Sequence, residues 1–109
     1  MAWLLREGEV LASVEVARTR AERLRGLVGR DGIRGALLIV RARQVHTVGV
    51  RFPIDVAFCD REMVVLRIVR LRPNRISRLV LRARYVLEAE AGTFERWGLR
   101  PGQQLELKE

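Results

Sequence analysis

A chain of 109 residues is the size of one domain, and a hydrophobic share of 49% can offset the entropy lost on folding, which excludes a disordered tail and two independent cores. The formal net charge of +8 rests on arginine, with Lys108 the sole lysine; such a charge draws polyanions at low salt without naming one. The single cysteine, Cys59, excludes an intrachain disulfide and, with one histidine, the clustered ligands of a zinc site.

The N-terminal stretch Trp3-Leu4-Leu5-Arg6-Glu7 turns charged after a few apolar residues, unlike a secretory signal, and no run approaches the ~20 apolar residues of a membrane-spanning helix. The expected location is the cytoplasm. Trp3 to Arg6 supplies a short strand ahead of the Glu7-Gly8-Glu9 turn. Val10, Ala12, Val14 and Val16 then alternate with Leu11, Ser13 and Glu15, the period of a half-buried strand. Thr19-Arg20-Ala21-Glu22 fits a capping box, in which hydroxyl and carboxylate each satisfy an unpaired backbone N–H. Ala21, Leu24, Leu27 and Val28 follow at helical spacing, which predicts a helix over about residues 20–28 ended by Gly29.

Ala36 to Val40 is an unbroken apolar run with branched residues, too short for a free-standing helix, and reads as a buried central strand. Ile54, Val56 and Phe58 alternate with Asp55, Ala57 and Cys59, and Met63 to Leu71 completes a hairpin with them. After the break at Pro73-Asn74, Leu79 to Arg82 reads as a short strand. Tyr85, Leu87, Ala89 and Ala91 alternate again, and the turn Leu99-Arg100-Pro101-Gly102 introduces a last strand at Gln104 to Lys108. The expected fold is mostly β: a compact antiparallel sandwich or barrel-like domain spanning 1–109, with one short helix.

Four segments carry a likeness. They are Glu22-Arg23-Leu24-Arg25-Gly26-Leu27-Val28-Gly29-Arg30, then Gly35-Ala36-Leu37-Leu38-Ile39, then Phe52-Pro53-Ile54-Asp55-Val56-Ala57-Phe58-Cys59-Asp60, and finally Tyr85 to Gly92 with Gly98-Leu99-Arg100-Pro101-Gly102. In order and spacing they resemble the domain-of-unknown-function family 192, a group of small prokaryotic proteins. The resemblance implies a β-sandwich-like fold with Gly26, Pro53 and Gly92 as structural motif positions, and it brings no established reaction. Where the family often carries an aromatic residue and Met-Lys-Asn-Thr, this chain reads His46-Thr47-Val48-Gly49-Val50-Arg51. Any role of the family's Lys and Asn would fall here to His46, Thr47 and Arg51.

The stretch from His46 to Asp55 is the candidate ligand site. Pro53 fixes the backbone entering a strand, and Asp55 faces away from Ile54, Val56 and Phe58, beside the small residues Ala57 and Cys59. A carboxylate near an arginine and a histidine can orient a polar ligand or act as a general base. The plainer expectation is that Asp55 accepts hydrogen bonds from loop N–H groups and locks the Gly49 to Pro53 turn. Cys59 reads as a small buried hydrophobe, and Glu88 and Glu90 as cross-strand partners of Arg82 and Arg84. Arginines 67, 70, 72, 75, 78, 82 and 84 form a basic stretch without aromatic residues for stacking bases.

The leading expectation is a non-catalytic module that binds a protein partner or small ligand at a cleft formed by His46, Thr47, Arg51 and Asp55. No cofactor or metal is expected. The alternatives are a hydrolase using Asp55 as base with His46 or Arg51 assisting, and a basic adaptor for nucleic acid or another polyanion.

Overall fold

The alternation from Val10 to Val16 lies in a strand, β2 (Glu9–Ala17), paired with β1 (Ala2–Arg6) through the tight turn at Glu7-Gly8. These assignments come from a computed structural model, which describes residues 2–109. The capping box forms as the sequence predicts. Thr19 Oγ1 accepts from the Glu22 N–H at 3.1 Å, and Glu22 Oε1 accepts from the Thr19 N–H at 2.9 Å. The helix it starts, α1 (Arg20–Arg25), is shorter than the expected 20–28. It ends at Gly26 (φ 49°), whose N–H returns to the Glu22 carbonyl; Gly29 instead donates to the Gly49 carbonyl at 3.1 Å.

The chain then enters β3 (Ala36–Val40) at Gly35, φ 68°, where any Cβ would collide with the Ser13 carbonyl of β2. That close approach lets β3 lie parallel to β2, the one parallel pairing of the sheet, with α1 in the crossover. β4 (Ile54–Cys59) and β5 (Val65–Leu71) form the expected hairpin, and β6 (Tyr85–Glu90) inserts between β4 and β3. A second short helix, α2 (Thr93–Trp97), precedes β7 (Glu106–Lys108), which pairs with β1. Two segments differ from the sequence expectation. Leu79 to Arg82 is a turn that leaves Leu79 and Leu81 exposed, and Gln104 makes a single bridge to Val64 instead of opening β7.

The seven strands run in the order β5-β4-β6-β3-β2-β1-β7, so β5 and β7 are the two edges. The segment just before β7 nevertheless bonds to the start of β5: Val65 N–H donates to Gln103 O at 2.8 Å, Gly102 N–H to Val65 O at 2.7 Å, and Leu105 N–H to Met63 O at 2.9 Å. The sheet is therefore curled toward a barrel without a closed ladder. One apolar cluster fills the inside of the curl, drawing on small residues such as Ala36, Ala57 and Ala89 with Leu4, Leu38, Leu87 and Phe94. A second covers the outside, where Ile54, Val56, Phe58 and Val86 pack under Leu27, Val45, Val50 and Ala83. The cover over that outer face is α1 and the two loops 41–53 and 72–84.

Candidate functional site

Asp55 points to the inside of the curl, as its alternation with Ile54 and Val56 requires. Its Oδ1 accepts from Arg70 Nε at 2.9 Å across the hairpin, and its Oδ2 from the N–H groups of Gly92 at 2.9 Å and Phe94 at 3.1 Å. A carboxylate on the sheet thus caps α2, whose own N-cap, Gly92 (φ 97°), has no side chain to do so. Asp55 is a structural lock, but of the 92–94 turn and not of the turn from Gly49 to Pro53. Pro53 supports the same corner, its carbonyl accepting from Ala91 N–H at 3.1 Å.

Thr47 is fully buried on the opposite side of the sheet. Its hydroxyl donates to Arg72 O at 2.6 Å and accepts from Arg75 N–H at 2.8 Å, so it joins loop 41–53 to loop 72–84. Arg51 is exposed and paired with Asp31 at 2.9 Å. His46 is exposed, with its backbone bridged to Ile76. The expected cleft of His46, Thr47, Arg51 and Asp55 is therefore not assembled: Asp55 lies across the sheet from the other three, and the polar groups of Asp55 and Thr47 are already satisfied.

His46 does border a cavity of about 900 Å³ between α1, the 41–46 segment and the outer face of the sheet. Its wall carries Arg20, Arg23, Arg25, Arg41, Arg43 and Arg84, and one acid, Glu88. Glu88 sits in the middle of β6, opposite Leu37 of β3 and Val56 of β4, and is 4% exposed. Burial pushes its carboxyl up to about 7, because the charged form gives up water without gaining a compensating partner. The expected ion pairs from Glu88 to Arg82 and Arg84 do not form; Arg84 donates instead to the carbonyls of Leu81 and Ala83. Arg23 leans over the cavity with Nη2 on the Arg41 carbonyl at 2.9 Å and its buried Nε unpaired.

Glu88 shares the strand parity of Glu90, yet Glu90 lies beyond the cover and is exposed. The flanking run Val86-Leu87 and Ala89, apolar on both parities, marks a strand buried on both faces, but it does not tell Glu88 from Glu90. Cys59 is buried inside the curl and its thiol is pushed up to about 12 by burial and by the Asp60 charge. It is no nucleophile. Among the described residues no group of three His, Cys, Asp or Glu side chains could hold a metal ion.

The fold and this cavity define a small β domain with an arginine-lined pocket that has Glu88 at its base. The chain belongs to the domain-of-unknown-function family 192, an uncharacterized ACR family whose model matches residues 3–107. Two solved structures are similar. One is a protein of unknown function from Novosphingobium aromaticivorans, 22% identical, with a TM-score of 0.82 over 96% of this chain and 82% of that one. The other is a candidate transcription regulator from Sinorhizobium meliloti, 26% identical, with a TM-score of 0.78 over 96% and 90% of the two chains. No curated protein matches the chain.

Proposed function

We propose that this chain is a non-catalytic binding module, and that its ligand is a small polar molecule held in the cavity over Glu88. The observation that carries the reading is Glu88 itself, a buried carboxyl without a protein partner facing open space. A ligand hydroxyl or amine would give this carboxyl the hydrogen-bond partner that the described residues do not supply. The surrounding arginines favour a ligand that also bears a carboxylate or phosphate, which guanidinium groups bind with two parallel hydrogen bonds.

A hydrolase built on Asp55 has no free base, since both carboxylate oxygens are occupied. The regulator description of the Sinorhizobium protein finds little support here, because helices of six and five residues are too short to read a DNA major groove. The test is a thermal-shift screen of sugar phosphates, uronic acids and hydroxy acids at moderate salt. A ligand at a hundred times its Kd adds ~2.7 kcal/mol of stability, which raises the Tm by roughly 10 °C or more in a domain of this size. A hit should disappear in a folded Glu88→Leu variant. A panel without hits, or hits untouched by that variant, would sink the reading.

A further inference from the structure

Loops 41–53 and 72–84 form one layer over the outer face of the sheet. They are laced together by Thr47 N–H to Arg75 O at 2.8 Å, Ser77 N–H to Val45 O at 2.8 Å and Val80 N–H to Arg43 O at 2.9 Å. Neither loop contains an aspartate or glutamate, while together they carry eight arginines, at 41, 43, 51, 72, 75, 78, 82 and 84. Only Arg51 among them has a carboxylate partner. The inward side of the layer is accounted for by Val45, Val50, Val80 and Ala83, which pack on the outer core. What remains outside is unusual. Val48, Ile76, Leu79 and Leu81 stand among the arginines at 55% to 69% exposure.

From this surface we infer that the layer docks onto an anionic lipid bilayer, the arginines meeting headgroup phosphates and the four aliphatic side chains entering the interface. Charge alone would serve any polyanion. The aliphatic side chains decide between partners, because a nucleic acid backbone offers them no apolar surface, and the loops hold only two rings that could stack on bases, the exposed His46 and Phe52, which packs on the outer core. Clusters of four to eight basic residues are characteristic of anionic-lipid recognition, and weak apolar insertion supplies the second signal that stable docking needs. Arg41, Arg43, Arg84 and Leu79 also border the cavity, so bilayer docking rests on the part of the layer outside it, Arg72, Arg75, Arg78 and Arg82 with Val48, Ile76 and Leu81.

The test is co-sedimentation of the full chain with vesicles of pure phosphatidylcholine and with vesicles containing phosphatidylglycerol. Binding is expected only to the latter. It should weaken as salt rises, drop about fivefold for each of Arg75→Gln, Arg78→Gln and Arg82→Gln, and drop about tenfold for the double variant Ile76→Ser/Leu81→Ser. All five positions are exposed, and an unchanged Tm confirms that each variant is folded. No binding to anionic vesicles at low salt overturns the inference. Binding that the serine pair leaves unchanged also overturns it, and if a single-stranded oligonucleotide is then held more tightly than the vesicles, nucleic acid takes the bilayer's place.

Discussion

Gly26 stands over Glu88: a Cβ on the glycine would lie 3.8 Å from the carboxyl Oε1. The end of α1 and the centre of β6 are thus brought into contact by a residue that has no side chain. The space is ordinary van der Waals contact, but the backbone is not, since φ 49° with ψ −123° is a region that side chains avoid. Gly26→Ala should therefore destabilise the domain by about 1–3 kcal/mol through strain, and urea unfolding monitored by circular dichroism measures it. A loss under a few tenths of a kcal/mol would mean that the turn relaxes freely.

Glu88 should make stability depend on pH in the direction opposite to most carboxylates. Its folded-state pKa is raised to about 7 from 4.5, so between those values the folded chain keeps a proton that the unfolded chain has released. Stability from this group is complete below pH 4.5 and is lost as pH rises through 7, by about 3 kcal/mol as an order of magnitude. Chemical denaturation at a series of pH values should show that decline, and Glu88→Gln should abolish it and be the more stable protein at pH 8. An equal slope in both proteins would assign the titration elsewhere.

Asp55→Ala removes three hydrogen bonds and strands the N–H groups of Gly92 and Phe94, the latter buried. A cost of about 2–4 kcal/mol is expected, with faster amide exchange at both positions while β4 stays protected. Ligand affinity at the cavity should not change in the folded fraction, because Asp55 lies across the sheet from it. Asp55→Asn, which keeps one acceptor oxygen, should recover part of the stability.

The Cys59 thiol, at about 12 and fully buried, should resist iodoacetamide at neutral pH in the folded protein and react readily in urea. Mass spectrometry after a timed pulse reads both states. Fast labelling of the native chain would indicate that the curl opens locally near the end of β4.

The features that the sequence declared are those encoded by near neighbours. The Thr19 and Glu22 capping box is closed within four residues, and the alternation in β2, β4 and β6 names the side on which Val14, Asp55 and Leu87 fall. Where a contact depends on remote chain, the local pattern misleads. Asp55 was legible as an acceptor of backbone N–H groups, but its donors at Gly92 and Phe94 are 37 and 39 residues away, so the nearer turn was the natural choice. Leu79 and Leu81 alternate like a strand, and only the absence of a neighbouring edge turns that pattern into an exposed loop. Glu88 and Glu90 have the same parity and similar flanks; what separates them is the reach of α1 and the 41–46 segment across the sheet, which no local pattern contains. The same gap hid the cavity, since Arg23, Arg41 and Glu88 meet only in the finished fold.

The pairing of β7 with β1 has a consequence for how the chain is made. Leu4 faces Leu107 across that ladder, so the first strand cannot complete both of its edges until residues 106–108 have been synthesised. The bonds from residues 102–105 to Met63 and Val65 are late for the same reason. A nascent chain on the ribosome therefore holds two unfinished edges, at β1 and β5, until residues 102–108 are free to bridge them together. Folding should finish in a single cooperative step once residues 102–108 are available, with a rate set by these distant closures and not by the early β1–β2 hairpin.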